Sequence, residues 1–198
     1  MKTDMTTEVS ATARLTSRGR LIELLLKLYN FFGFKAAWWV CVLGAAWGGA
    51  YWGPVSMAAF LALHIWLIGL SREELRFWIF AAVFGTITDS IYAAAGFITY
   101  QGGYPGIDWL APFWITGMWV GFTATLHHSL VIMRDHAWLA FLLGAIFGPV
   151  SYLTAESVGA IAIHADLLTS SLILGILWGL LMPFLYWVSA RLGMPQQS

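Results

Sequence analysis

LLTSSLILGILWGLLMPFLYWVS, residues 167–189, contains no Asp, Glu, Lys or Arg. As a helix rising 1.5 Å per residue it reaches about 35 Å, enough to cross the ~30 Å hydrocarbon layer of a bilayer. A surface helix of a soluble protein would alternate this apolar surface with a charged face, and none is present. The stretch therefore reads as a transmembrane helix, and the rest of the chain repeats it. Further apolar runs lie at roughly 34–52, 54–70, 77–97, 111–132 and 138–157. Gly53-Pro54 reads as a tight turn between the first two.

Composition agrees. Of 198 residues, 60% are hydrophobic and 10% are charged, against about 25% charged in soluble domains. Mean hydropathy is +0.75. Twelve Trp and thirteen Phe suit a bilayer, where aromatic rings settle at both interfaces. One cysteine, Cys41, excludes an internal disulfide, and no Cys-based metal cluster or glycine-rich phosphate loop is present. Nothing in this composition suits nucleic-acid binding. The partners it implies are membrane lipids and other membrane proteins, and a homodimer is compatible with it.

The cations give the orientation. Lys2, Arg14, Arg18, Arg20, Lys27 and Lys35 precede or begin the first run. Arg72 and Arg76 fall between the second and third, Arg134 between the fourth and fifth, and Arg191 after the sixth. The other three connections carry no Lys or Arg. With six spans every cation lies on one side, which the positive-inside rule makes cytoplasmic. Trp38, Trp39, Trp66, Trp78, Trp138 and Trp187 then line the inner edge, and Tyr51, Trp52, Tyr100, Tyr104 and Trp109 the outer one. The expected fold is all-α: a polytopic bundle of six transmembrane helices over 34–189, with both termini cytoplasmic in a bacterial inner membrane. Residues 1–19 read as a disordered cytoplasmic tail rather than a cleavable signal peptide, and 190–198 as a second tail. Residues 20–33 carry polar side chains at Arg20, Glu23, Lys27 and Asn30. They read as an amphipathic interfacial helix, or as an extension of the first span. The Gly/Pro-rich segment 101–108 reads as an outer loop.

Within lipid, helices associate largely through close backbone approach at small residues. Four Gly-xxx-Gly pairs mark such contacts: Gly44/Gly48, Gly117/Gly121, Gly144/Gly148 and Gly175/Gly179. Pro149 and Pro183 should each kink a helix and free a carbonyl.

Polar residues inside apolar runs are the candidate functional groups. His127 and His128 are adjacent, so on a helix they point about 100° apart. At helical spacing His128 continues the small-residue face of Gly117, Gly121 and Ala124; His127 continues Thr116, Val120 and Thr123. Asp89 sits in the middle of another small-residue face, Ala82, Gly85, Ala93 and Gly96. An ionised Asp at a helix centre costs roughly 2.5–3.5 kcal/mol, so it is neutral, paired or wet. Asp89 lies about 18 Å above the inner end of its span, but His128 only about 6 Å and His64 about 9 Å. His64 and His128 are therefore expected to share a cluster, with Asp89 apart at the depth of Ser151, Tyr152 and Pro149. Glu156 lies near the outer edge. Ser71 reads as the N-cap of the helix carrying Glu73 and Glu74.

Several stretches carry a resemblance in order: Asn30-Phe-Phe-Gly-Phe34, Trp39-Val-Cys-Val-Leu-Gly-Ala-Ala46, His64 with Arg72-Glu-Glu-Leu75, Gly85-Thr-Ile-Thr-Asp-Ser90, Ala111-Pro-Phe-Trp114, Thr125-Leu-His-His-Ser-Leu130 and Gly144-Ala-Ile-Phe-Gly-Pro-Val-Ser-Tyr152. Over most of residues 30–160 the chain resembles the bacterial membrane family known as domain of unknown function 2878. The resemblance implies a small multi-pass inner-membrane protein with a lipid-related role and no known activity. It carries over His128 and not His127, whose place often holds Asn in that family.

Three readings follow. The first is an accessory, lipid-binding or small-molecule-handling membrane protein, with a small proton-coupled transporter as one form of it. The second is an intramembrane enzyme in which His64, His128 and a carboxylate hold a divalent metal or act as acid and base. The third is a packing scaffold. No cofactor and no metal is assigned by a recognised motif.

Overall fold

The computed structural model describes residues 3–49 and 51–194, with side chains from residue 18 onward. Six helices run α1 Thr3–Ala46, α2 Trp52–Leu67, α3 Arg72–Ala94, α4 Phe113–Leu126, α5 Ala137–Ser157 and α6 Leu167–Arg191. Two strands, β1 Ile98–Tyr100 and β2 Ile161–Ile163, pair antiparallel with Ile98 opposite Ile163. The sequence did not announce these strands; three residues each are too few for a period-2 pattern. They join the α3–α4 connection to the α5–α6 connection.

Helices α3, α5 and α6 are long and apolar enough to cross a membrane. Helices α2 and α4, of 16 and 14 residues, reach only about 24 and 21 Å. Residues 3–19 of the expected tail, the segment 20–33 and the first span as far as Ala46 share one helical backbone from Thr3 to Ala46. This favours the reading of 20–33 as an extension of the first span over a separate interfacial helix; residues 1–2 lie outside the described residues. The tail at 190–198 is described only to Met194; α6 itself ends at Arg191.

Local chemistry fixes the ends. Ser71 caps α3, its hydroxyl accepting the Glu74 amide at 3.0 Å. Asp166 caps α6, accepting from the amides of Leu168 and Thr169. Gly96, at φ +68°, closes α3, with the Phe97 amide returning to the Tyr92 carbonyl at 2.9 Å. Gly53 and Pro54 lie in the first turn of α2, where a missing amide hydrogen costs nothing; the turn precedes them.

Packing follows the glycines, but not all as expected. Helices α5 and α6 interlock over both their pairs. A side-chain carbon at Gly144 would strike the Trp178 carbonyl, one at Gly148 the Trp178 side chain, and one at Gly179 would lie 3.2 Å from Ala145 Cβ. Gly175 rests against the Ala145 carbonyl, the group that Pro149, lacking an N–H, leaves unbonded. Both prolines lie inside continuous helices. Gly121 admits the sulfur of Met57 from α2, whereas a side-chain carbon added at Gly117 would lie 3.7 Å from Met57 in ordinary contact. Gly48 is no packing residue: it follows the end of α1 at φ +81°. Helix α4 packs on α1, α2 and α3, and Gly85 of α3 is covered by the Trp119 ring of α4.

Candidate functional site

Helix α2 ends and α3 begins at one end of the bundle, and there three side chains meet. His64, in the last turn of α2, is fully buried; Glu74, in the first turn of α3, is 6% exposed. His64 Nε2 lies 3.1 Å from Glu74 Oε1, and His128 Nε2 lies 3.2 Å from the same oxygen. The two imidazoles stand edge to face with centroids 4.8 Å apart. One ligand atom from each of His64, Glu74 and His128 lies within 4.8 Å of the others. The His128 side chain is 25% exposed and opens the cluster on one side.

Asn30 of α1, also fully buried, determines how the cluster is wired. Its Nδ2 donates to the Ala124 carbonyl at 3.0 Å, and its Oδ1 accepts from the Ser129 amide at 3.3 Å and hydroxyl at 2.7 Å. A carbonyl only accepts and an amide N–H only donates, so the carboxamide has one orientation. Its Nδ2 also faces His64 Nδ1 at 3.3 Å, which makes Nδ1 the acceptor. The His64 proton then sits on Nε2 and is donated to Glu74. The wiring runs Asn30 to His64 to Glu74, with His128 donating to the same carboxylate.

The same contacts end α4. The expected fourth span, 111–132, stops at Leu126, and His127 and His128 lie in a turn before a short 3₁₀ segment, Val131–Met133. The facial argument from helical spacing therefore does not apply to either histidine. Asn30 pairs the Ala124 carbonyl, and the Tyr186 hydroxyl bonds the carbonyls of Leu126 and Leu130. Side chains from α1 and α6 thus satisfy backbone groups that a continuing helix would have used. His127 turns away from the cluster, packs between Phe77 and Tyr186, and its Nε2 has no hydrogen-bond partner among the described residues. Replacing Asn30 by Ala leaves buried groups on two elements unpaired. The expected loss is about 1–3 kcal/mol, read as a lower midpoint of thermal unfolding.

Asp89 belongs to a second group. It lies 15 residues beyond Glu74 on α3, about 22 Å along the axis, and touches neither histidine of the first cluster. It is fully buried. Its Oδ1 accepts from the hydroxyls of Tyr100 and Tyr152, both at 2.7 Å, and its Oδ2 from the indole of Trp119 at 2.7 Å. Burial, reinforced by the Asp89 charge, raises the Tyr100 hydroxyl far above the usual phenol range, keeping it a donor. Three elements besides α3 are tied to one carboxylate. Ser151, expected at this depth, instead bonds its own helix at Phe147. Glu156 accepts the Ile163 amide at 2.9 Å and so anchors β2 to α5.

Between α1, α4, α5 and α6 lies a cavity of about 330 Å³. Phe34, Trp114, Met118, Trp119, Phe147 and Trp178 form much of its wall. Asp89 and Tyr152 line it deep in the bundle, and the exposed Lys35 lines it from α1.

Glu74 and Asn30 are the site residues that sequence reasoning passed over. Ser71-x-x-Glu74 is the pattern of a capping box, in which the Glu would bond its own helix end; here the side chain turns to the histidines instead. Asn30 read as one polar position on an amphipathic helix. Its one signal was that it opens the ordered set of matching stretches.

Residues 27–184 match a family model described as Protein of unknown function (DUF2878). No curated protein and no solved structure matches the chain.

Proposed function

This chain belongs to the DUF2878 family, and from that premise and the cavity we propose that it is a six-crossing membrane protein that holds one lipid-type amphiphile. Three membrane-length helices and the one-sided distribution of Lys and Arg support six crossings, with the shorter α2 and α4 crossing as parts of the bundle. On this reading both termini face the cytoplasm of a bacterial inner membrane. Arg72, Arg76, Arg134 and Arg191 mark the cytoplasmic side, which puts the His64–Glu74–His128 cluster there and the β1–β2 pair outside.

The observation that carries the proposal is the apolar, aromatic-walled cavity between α1, α4, α5 and α6. Its volume falls within the ~300–1,000 Å³ of small-molecule sites. Its wall is hydrocarbon-like over most of its length, and Lys35, the cation on its lining, suits an anionic headgroup. An acyl chain with a carboxylate or phosphate head matches both ends. Asp89, with each oxygen already bonded, serves the architecture around the cavity.

The test is native mass spectrometry of the full chain after detergent exchange, with phosphatidylglycerol supplied. One retained lipid is expected on the wild type. Met118→Trp fills the cavity and should lower retention at least tenfold, while Lys35→Gln should weaken the preference for phosphatidylglycerol over a neutral lipid. Equal retention by wild type and Met118→Trp would remove the cavity from the account.

A further inference from the structure

We propose that His64, Glu74 and His128 form a binding site for one divalent first-row metal ion, independent of the lipid cavity. The donor set is two imidazoles and one carboxylate. Zinc and ferrous iron are the ions with which this set is established.

The geometry supports it in three ways. Ligands held about 2.0–2.1 Å from a tetrahedral metal stand about 3.3 Å from one another. The two imidazole-to-carboxylate separations here are 3.1 and 3.2 Å, and all three ligand atoms lie within 4.8 Å of one another, so an ion is seated once the two imidazoles draw together. The ligands come from three separate places in the chain: the last turn of α2, the first turn of α3 and the turn after α4. The site is therefore assembled by folding and held by three packed elements. Its protein side is closed: His64 is fully buried and the Glu74 side chain 8% exposed. The partly exposed His128 leaves one approach, which gives the ion a way in and a position for water or a ligand.

Asn30 sets the affinity. Each imidazole carries its Nε2 proton toward Glu74, and ligation through Nε2 requires that proton to leave, with Nδ1 as the other site on the ring. At His128, whose ring meets Glu74 and His64, nothing opposes the shift among the described residues. At His64 the Nδ1 proton would meet the Asn30 amide nitrogen at 3.3 Å. The carboxamide must then turn its oxygen to His64 and give up its bond to Ala124. An acid at residue 30 also gives up the bond to Ala124, but it accepts from Nδ1 without turning and keeps its other oxygen on Ser129. This is the arrangement by which a carboxylate behind a ligating histidine strengthens metal binding by 10–100-fold. Asn30→Asp is thus expected to bind metal more tightly than the wild type, although Asn30 itself does not touch the ion.

The experiment uses the full-length, detergent-purified chain, stripped with chelator and then titrated with Zn²⁺ or, without oxygen, Fe²⁺. Bound metal is counted per chain, and Co²⁺ substitution reports the coordination number by its visible absorption. One ion per chain is expected. Glu74→Gln and His128→Ala should each weaken binding more than tenfold, Asn30→Asp should strengthen it about tenfold, and His164→Ala, at an exposed histidine remote from the cluster, should leave it unchanged. The ion that saturates the site at lower concentration is the one it takes. Shielding of the buried Cys41 from a maleimide shows which variants are folded. Should a variant fail to fold, the wild-type Co²⁺ spectrum decides alone, with intense tetrahedral or five-coordinate bands expected. A wild type that binds no stoichiometric metal, or binding indifferent to Glu74→Gln in a folded protein, overturns the proposal.

Discussion

Asp89→Leu is expected to lower the stability of the protein by about 3–5 kcal/mol. The change strands three donors, the hydroxyls of Tyr100 and Tyr152 and the indole of Trp119, around an apolar side chain. Hydrogen bonds between helices in membrane bundles are worth about 0.6–2 kcal/mol each, and a buried donor left without a partner costs about 1–3 kcal/mol. For a chain of this size 1 kcal/mol moves the unfolding midpoint by about 2–4 °C, so the midpoint should fall by roughly 6–20 °C. Asp89→Asn should do less harm. A turned carboxamide can offer its oxygen to Trp119, which only donates, and its amide hydrogens to the tyrosine oxygens, which can accept. The chain carries its own reporter: Cys41, its one cysteine, is fully buried, so a fluorogenic maleimide reacts as the bundle opens. An unfolding midpoint for Asp89→Leu equal to that of the wild type would show that the carboxylate does not tie these four elements together.

Gly144→Val carries the other large effect. A Cβ at this position falls on the backbone carbonyl of Trp178 and on Met182 of α6. A carbonyl inside a helix cannot move aside, so the helices must separate along the seam of Gly144, Gly148, Gly175 and Gly179. Overpacking of this kind costs about 1–3 kcal/mol at a flexible contact and more at a rigid one. A loss of about 3 kcal/mol or more is expected, and even Gly144→Ala should destabilise. Gly117→Ala supplies the contrast. It is also the first glycine of a Gly-xxx-Gly pair, yet its added carbon would sit 3.7 Å from Met57 in ordinary contact. It should be neutral, or stabilising by up to about 1 kcal/mol through helix propensity. The same maleimide assay ranks the three variants, and Gly144→Ala as stable as Gly117→Ala would contradict the seam.

Helix α3 links the two polar groups. Its first turn supplies Glu74 and its later turns Asp89, and Thr86 between them bonds Thr116 of α4 at 2.6 Å. One helix thus holds both groups at fixed separation, the Asp89 group as a structural tie and the Glu74 group with a partly exposed histidine.

The sequence by itself determined the apolar helices, the family, the isolation of Asp89 from the histidines and the stripes of glycine. These properties are local: hydrophobicity accumulates over one run, and helical spacing is set by one backbone. What the tertiary structure alone decided are the partners. Glu74 drew no notice beyond its place in the first turn after the Ser71 cap, and only the arrival of α2 and the turn after α4 brought it to His64 and His128. The fourth run read as one helix through residue 132 because the apolar Leu130, Val131 and Ile132 follow the polar His127-His128-Ser129. It stops at Leu126 because Asn30 and Tyr186, 94 and 60 residues away in sequence, satisfy the carbonyls exposed by the break. Gly117 and Gly144 have the same spacing but different fates, because a glycine's worth depends on which atom stands opposite it. Hydrogen bonds and contacts between distant segments depend on where folding brings each partner, and no single segment encodes that.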